Sequence, residues 1–237
     1  MQWIWRIIKC TKFQTKVLFL AVILFLNSYL AKGQNNNQYR LYYFGSTSLN
    51  DKSDFSFGTG IHSMPQDYWK RLELRSTYSF NVASNLNVGL GQRSNVTLIE
   101  NGLSTYEFRP FQKAMFQQAL DQNLFLSHRI MVEERFFINY EEKNSFHARL
   151  RYRVEGNINF KHNSKYYIRP MSEIFYSFAN EAENNLSQWK NTLALGYSVN
   201  SKASIEFRYE YVLNRDESTM YEYQPLNGFR LQFVHKF

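Results

Sequence analysis

Apolar and polar side chains alternate one for one along most of this chain. The clearest run spans Phe146 to Phe160. Its even positions read Phe146, Ala148, Leu150, Tyr152, Val154, Gly156, Ile158 and Phe160. Its odd positions read His147, Arg149, Arg151, Arg153, Glu155, Asn157 and Asn159. An extended strand sends two such sets to opposite faces, whereas a helix, with its period of about 3.6, mixes them. The segment Leu124 to Ile138 repeats the pattern, with Leu126, Ile130, Val132 and Phe136 set against Arg129, Glu133 and Arg135. Ala203 to Leu213 does so again, with Ile205, Phe207, Tyr209 and Tyr211 opposite Glu206, Arg208 and Glu210. An all-β chain is predicted. Strands of globular domains average about 5–6 residues. The longer runs here suit the roughly 9–11 residues of a tilted transmembrane strand plus an overhang.

Connections order these strands. Short ones fall at Asn81–Asn85, Asp121–Asn123, Lys161–Ser164 and Asn200–Lys202; longer polar ones fall at Thr97–Thr105, Asn139–Ser145, Ala179–Ser187 and Asn214–Leu226. Strict alternation of short and long matches the periplasmic turns and extracellular loops of an outer-membrane barrel. Strands are predicted near 53–62, 67–80, 86–96, 105–118, 124–138, 146–159, 165–178, 188–199, 203–213 and 227–237. The predicted fold is a transmembrane antiparallel up-and-down β-barrel of about ten strands at 53–237, with twelve possible and both ends periplasmic. Tyr39–Leu49 would make an eleventh strand. Parity argues against a simple wall strand there, so residues 34–52 are expected to be a periplasmic lead-in, a plug, or one of two further strands.

Ahead of this lies a secretory layout. Arg6, Lys9, Lys12 and Lys16 precede an unbroken apolar run from Val17 to Leu26, and Ala31 and Gly33 offer small residues before Gln34. Residues 1–33 therefore read as a cleavable signal peptide; the apolar run is too short to span a membrane as a helix. The only cysteine, Cys10, falls inside it, so residues 34–237 have no disulfide or thiol chemistry. The leader also carries five basic residues and no acid, which reduces the net charge from +8 to +3 for the remainder. That charge is mixed in sign along the strands, and no nucleic-acid motif accompanies it.

Composition narrows the class further. Aromatic residues make up 18% and mean hydropathy is −0.49, which excludes a helical membrane bundle. Tyr68, Trp69, Trp189, Phe80 and Phe160 are candidates for interfacial girdles at strand ends. The chain ends at Phe237, with Phe229, Leu231 and Phe233 on the same face and His235 interrupting them. This series reads as a barrel-assembly signal, and the expected partners are outer-membrane lipid and the assembly machinery of a Gram-negative cell.

The face opposite the lipid carries the chemistry. Arg71, Arg75, Arg93, Arg109, Arg129, Arg135, Arg149, Arg151, Arg153, Arg169, Arg208 and Arg230 fall on the predicted inner face. Glu73, Glu107, Glu133, Glu155, Glu173, Glu206 and Glu210 join them. Arginine pairs bidentately with carboxylates, so these rows are expected to fill and cross-link a narrow lumen. The excess of arginine leaves room for a passage for small anionic solutes. No catalytic, metal or cofactor signature occurs. The enzymatic alternative is a rim site built on His62 and Asp67, of a protease or lipid-modifying kind. Ser127 and His128 alternate to opposite faces and do not pair; His128 is expected to face lipid, and His147 to join the arginines.

Several stretches carry a family resemblance. They are Glu107-Phe108-Arg109-Pro110, His128-Arg129 through Glu133-Glu134-Arg135-Phe136, Arg149-Leu150-Arg151-Tyr152-Arg153, Glu173-Ile174-Phe175 and Leu195-Gly196-Tyr197. From about Tyr106 to Phe237 the chain resembles domain of unknown function 2490, an uncharacterised outer-membrane barrel family of Bacteroidetes-type bacteria. The resemblance implies the barrel and no activity.

Overall fold

The computed structural model describes residues 37–64, 69–99, 104–139, 144–160, 164–178, 185–215 and 223–237. They form β1 (Asn37–Asn50), β2 (Ser53–Met64), β3 (Trp69–Ala83), β4 (Leu86–Ile99), β5 (Ser104–Asp121) and β6 (Leu124–Asn139). Next come β7 (Ser145–Asn159), β8 (Tyr166–Phe178), β9 (Asn185–Ser198), β10 (Ala203–Arg215) and β11 (Tyr223–Lys236). Each strand pairs antiparallel with its sequence neighbour, and β1 closes the ring against β11. The predicted signal peptide lies outside the described residues, as do Asp67, Tyr68 and His162.

Ten of these strands lie where the alternation predicts them, with β4, β9, β10 and β11 running further toward the longer connections and β3 and β5 further toward the tight turns. The eleventh corrects the parity argument. Asn37–Asn50 is a wall strand, not a plug. Parity assumed antiparallel neighbours all round. Here β1 pairs antiparallel with β2 and parallel with β11, from Asn37 opposite Asn227 to Ser46 opposite Lys236. A parallel pair lets an odd number of strands close. The start of β1 therefore sits at the rim of the longer connections, and the end of β11 at the rim of the tight turns.

Local chemistry explains the tight turns. Asn50 Oδ1 accepts from Lys52 N at 2.9 Å. Asn200 Oδ1 accepts from both Lys202 N and Ala203 N at 2.8 Å. Such Asx turns give the reversing backbone its partners. The register shifts beside the turns of β1/β2, β3/β4 and β5/β6, where a bulge sharpens the bend.

The wall is inside out relative to a soluble protein. Leu74, Leu90, Ile130 and Leu195 point outward and are more than half exposed, while Glu133, Glu206 and Glu210 point inward with 0% exposure. Phe146, Leu150 and Tyr152 are on the exposed face too. Fourteen residues at about 3.3 Å each, tilted by about 40°, make a wall roughly 35 Å tall.

The seam between β1 and β11 is reinforced from both sides. Outside, Tyr39 stacks on Phe229 with ring centroids 5.8 Å apart, and the Tyr43 hydroxyl meets His235 Nδ1 at 3.2 Å. Inside, Arg40 reaches over β11 to pair with Glu210 of β10, and the Arg230 guanidinium lies 4.1 Å from the Tyr42 ring. Gly60 of β2 matters here. The Tyr42 ring lies where a Cβ on Gly60 would stand, so only glycine admits an aromatic lying flat against the inner wall.

Candidate functional site

Alternation along the strands places the glutamates of β3, β5, β6, β8 and β10 inside the barrel, each within reach of cations on its own or neighbouring strands. On β5, Glu107 and Arg109 stand two residues apart and so share a face; Arg109 Nη2 donates to the Glu107 carboxylate at 2.6 and 2.7 Å. Arg135 of β6 adds Nε at 2.6 Å, and Asn95 of β4 adds its amide at 2.7 Å. Glu133 of β6 takes Arg149 Nη2 at 2.6 Å on one oxygen and Arg151 Nη1 at 2.5 Å on the other. Glu173 of β8 takes Arg129 at 2.5 Å and Arg151 at 2.8 Å, with Lys190 Nζ 3.6 Å away. Arg151 thus bridges two buried carboxylates.

The β10 carboxylates repeat the arrangement. Glu206 binds Arg208 and Arg169 at 2.6 Å each, the Tyr167 hydroxyl at 2.8 Å and the Gln232 amide at 2.6 Å. Glu210 pairs with Arg40 and lies 3.7 Å from Arg230. Glu155 and Arg153 approach more loosely, at 3.7 Å. Phe111 and Met131, 2% and 1% exposed, pack among these groups. Side chains therefore narrow the middle of the lumen. A charge buried this deeply requires partners, since its desolvation costs several kcal/mol, and each of these carboxylates has them.

Toward the loop rim the lumen widens into a cavity of about 860 Å³. Arg71, Arg135, His147 and Arg149 line it together with Trp69 and Phe137. The Arg71 guanidinium lies 5.1 Å from the Trp69 ring, Arg135 lies 4.6 Å from Phe137, and Phe137 and His147 meet edge to face. Glu73, at the cavity's base, has Arg93 at 3.3 Å and the Tyr42 hydroxyl at 3.1 Å. Cations outnumber carboxylates around this mouth.

Several sequence-derived positions move. Trp69 is not a girdle residue; it shares the inward face of β3 with Arg71 and Glu73 and stands in the mouth. Trp189, Phe80 and Phe160 remain on the exposed face. His62 is buried inside β2, hydrogen bonded to Tyr42 and 3.7 Å from Glu73. A His62–Asp67 pair lies outside the described residues, because Asp67 does. Ser127 and His128 point opposite ways: Ser127 bonds the Glu155 carbonyl, and His128 bonds the Tyr152 hydroxyl on the exposed face at 2.8 Å. Leu231, Phe233 and Phe237 are exposed on the outer face of the final strand and its end, with Phe229 beside Tyr39 and Tyr209. Among the described residues, no group of three metal-binding side chains converges.

Sequence reasoning missed Arg40, Tyr42, Lys190 and Gln232. Arg40 and Tyr42 alternate visibly with Tyr39, Leu41 and Tyr43, and this signal was available. Parity overrode it. Lys190 and Gln232 are single polar residues whose partners lie on other strands, and nothing local marks them.

Residues 30–222 match a sequence family described as "Protein of unknown function (DUF2490)". The match includes the N-terminal strands, where the motif resemblance is weak. No curated protein matches the chain. Among solved structures, the NanC porin is similar over 84% of this chain and 99% of its own, with a TM-score of 0.52 and 13% identity. The KdgM porin, solved with disordered oligogalacturonate, has a TM-score of 0.45 at 12% identity, covering 74% of this chain and 90% of its own. At such identities the likeness to NanC is one of fold: a closed, porin-like β-barrel.

Proposed function

Because this chain belongs to the DUF2490 family, whose function is unknown, we propose its role from its own geometry: a non-enzymatic outer-membrane β-barrel forming a narrow, anion-preferring pore. One observation carries the reading. Buried carboxylates and arginines face inward while Leu74, Ile130 and Leu195 face outward exposed, and only a hydrocarbon surround makes that arrangement favourable. The wall is tall enough for an apolar band of about 25 Å. Residues 1–33 serve as the signal peptide, and the exposed Leu231, Phe233 and Phe237 serve the assembly machinery. No cofactor takes part.

The charge balance sets the selectivity. The glutamates hold the arginines in place, and the surplus cations at the mouth attract anions. A rim enzyme gains nothing from the geometry, since His62 faces the lumen and is held there by Tyr42 and Glu73. Planar bilayers test the proposal. The expected result is small, discrete conductance steps whose reversal potential in a KCl gradient shifts toward that of chloride. A silent bilayer, or a shift toward potassium, overturns it.

A further inference from the structure

The mouth of the lumen has two unlike walls. On the β3–β6 side, Arg71 and Arg135 are each held through one nitrogen. Arg71 donates Nε to Thr97 Oγ1 at 2.9 Å, and Arg135 donates Nε to Glu107 Oε1 at 2.6 Å. Their terminal nitrogens have no hydrogen-bond partner among the described residues, and both side chains line the cavity. Strands β8–β10 stand across the ring and add, beside Lys190 and Arg215, a pair of neutral amides. Gln188 Nε2 donates to Asn214 Oδ1 at 2.5 Å, which orients the pair and leaves Gln188 Oε1 as an acceptor and Asn214 Nδ2 as a donor. Gln188 and Asn214 line the same cavity.

These two walls recognise different halves of one molecule. Free guanidinium ends suit a planar or tetrahedral oxyanion. Oriented amides suit hydroxyl groups, and an aliphatic tail would leave them unpaired at a cost. Chloride uses only the cations and gains nothing from the amide pair. Building on the anion-pore reading, we propose that the mouth binds a small polyhydroxylated organic anion. Its carboxylate or phosphate lies on Arg71 and Arg135, its hydroxyls on Gln188 and Asn214, and its carbon skeleton beside Trp69. A cavity of about 860 Å³ holds such a solute.

Trp69 reports binding directly. The full chain carrying Trp189→Phe leaves Trp69 as the barrel's only indole among the described residues, and a Trp69→Phe/Trp189→Phe chain serves as the blank. Glucuronate, glucose 6-phosphate, butyrate and glucose are titrated in turn. Glucuronate or glucose 6-phosphate is expected to change Trp69 emission saturably, at least about tenfold more tightly than butyrate, with no response to glucose. The stronger of the first two names the charged group as carboxylate or phosphate. Arg71→Gln and Arg135→Gln are each expected to weaken that ligand by about tenfold. Asn214→Leu should weaken it while leaving butyrate unchanged. Arg71→Lys, which keeps the charge, guards against misfolding and should bind better than Arg71→Gln. Equal affinity for butyrate overturns the inference, as does an unresponsive Trp69. Anion-selective conductance with an unresponsive Trp69 overturns this inference alone. A saturable response without conductance keeps the site and overturns the pore.

Discussion

The middle of the lumen and its mouth are built from the same residue types and differ in how they are paired. In the middle, Glu133 has 0% exposure and both its oxygens are taken by Arg149 and Arg151. At the mouth, Arg71 leans on a neutral threonine and an indole ring. Arginine on an inner wall therefore has two uses. Where a carboxylate takes its terminal nitrogens, the pair braces the wall; where they stay free, the charge remains available to a solute. Substitutions should separate the two regions.

The largest effect is expected in the middle. Glu133→Gln leaves Arg149 and Arg151 without their shared carboxylate and turns an amide toward one of them. Breaking a buried pair from one side costs about 3–5 kcal/mol. The urea midpoint of the barrel in lipid vesicles should fall accordingly, and Glu133→Gln with Arg149→Met should recover part of the loss. A loss under about 1 kcal/mol would mean that water already solvates this layer, and the contrast with the mouth would fail.

Next in size is the outer face. Ile130 lies midway along β6 and is 52% exposed. In a membrane, Ile130→Arg should cost about 2–4 kcal/mol, the value for a lipid-facing arginine at the midplane. The same change in a water-soluble barrel would be nearly neutral. Refolding yield into vesicles therefore tests which solvent the outer face meets. A smaller loss is expected from Gly196→Val. The Tyr167 ring occupies the space of the new side chain, and displacing it disturbs its hydroxyl bond to Glu206. Overpacking of this kind costs about 1–3 kcal/mol, readable as a lower melting temperature.

Legibility in the sequence follows the same division between local and long-range information. A period of two is local, so β2–β11 and the inward set from Arg71 to Arg230 can be read from alternation alone. Closure is not local. The pairing of Tyr39 with Phe229 joins residues at opposite ends of the chain, and parity is a weak guide once one pair runs parallel. Which glutamate meets which arginine is likewise set by strand stagger: Arg129 on β6 reaches Glu173 on β8, past β7. Trp69 shows a further limit, since an aromatic at a strand end reads equally as a girdle or as a mouth residue until its face is known.

The smallest structural effect, and the sharpest contrast, belongs to Arg71→Gln. Its Nε bond to Thr97 is a neutral contact at the rim, so stability should stay within about 0.5 kcal/mol of the parent. Anion preference should nevertheless fall, because a guanidinium with free terminal nitrogens is lost from the entrance. The reversal potential in a KCl gradient measures that fall. Raising the salt to about 1 M shortens screening to about 3 Å, which should shrink the difference between parent and variant. The sealed pairs around Glu133 lie out of reach of added ions, so their contribution to the urea midpoint should hardly change with salt. If Arg71→Gln instead destabilised the barrel as much as Glu133→Gln, the mouth would be one more brace, and its positive charge would be a by-product of the architecture.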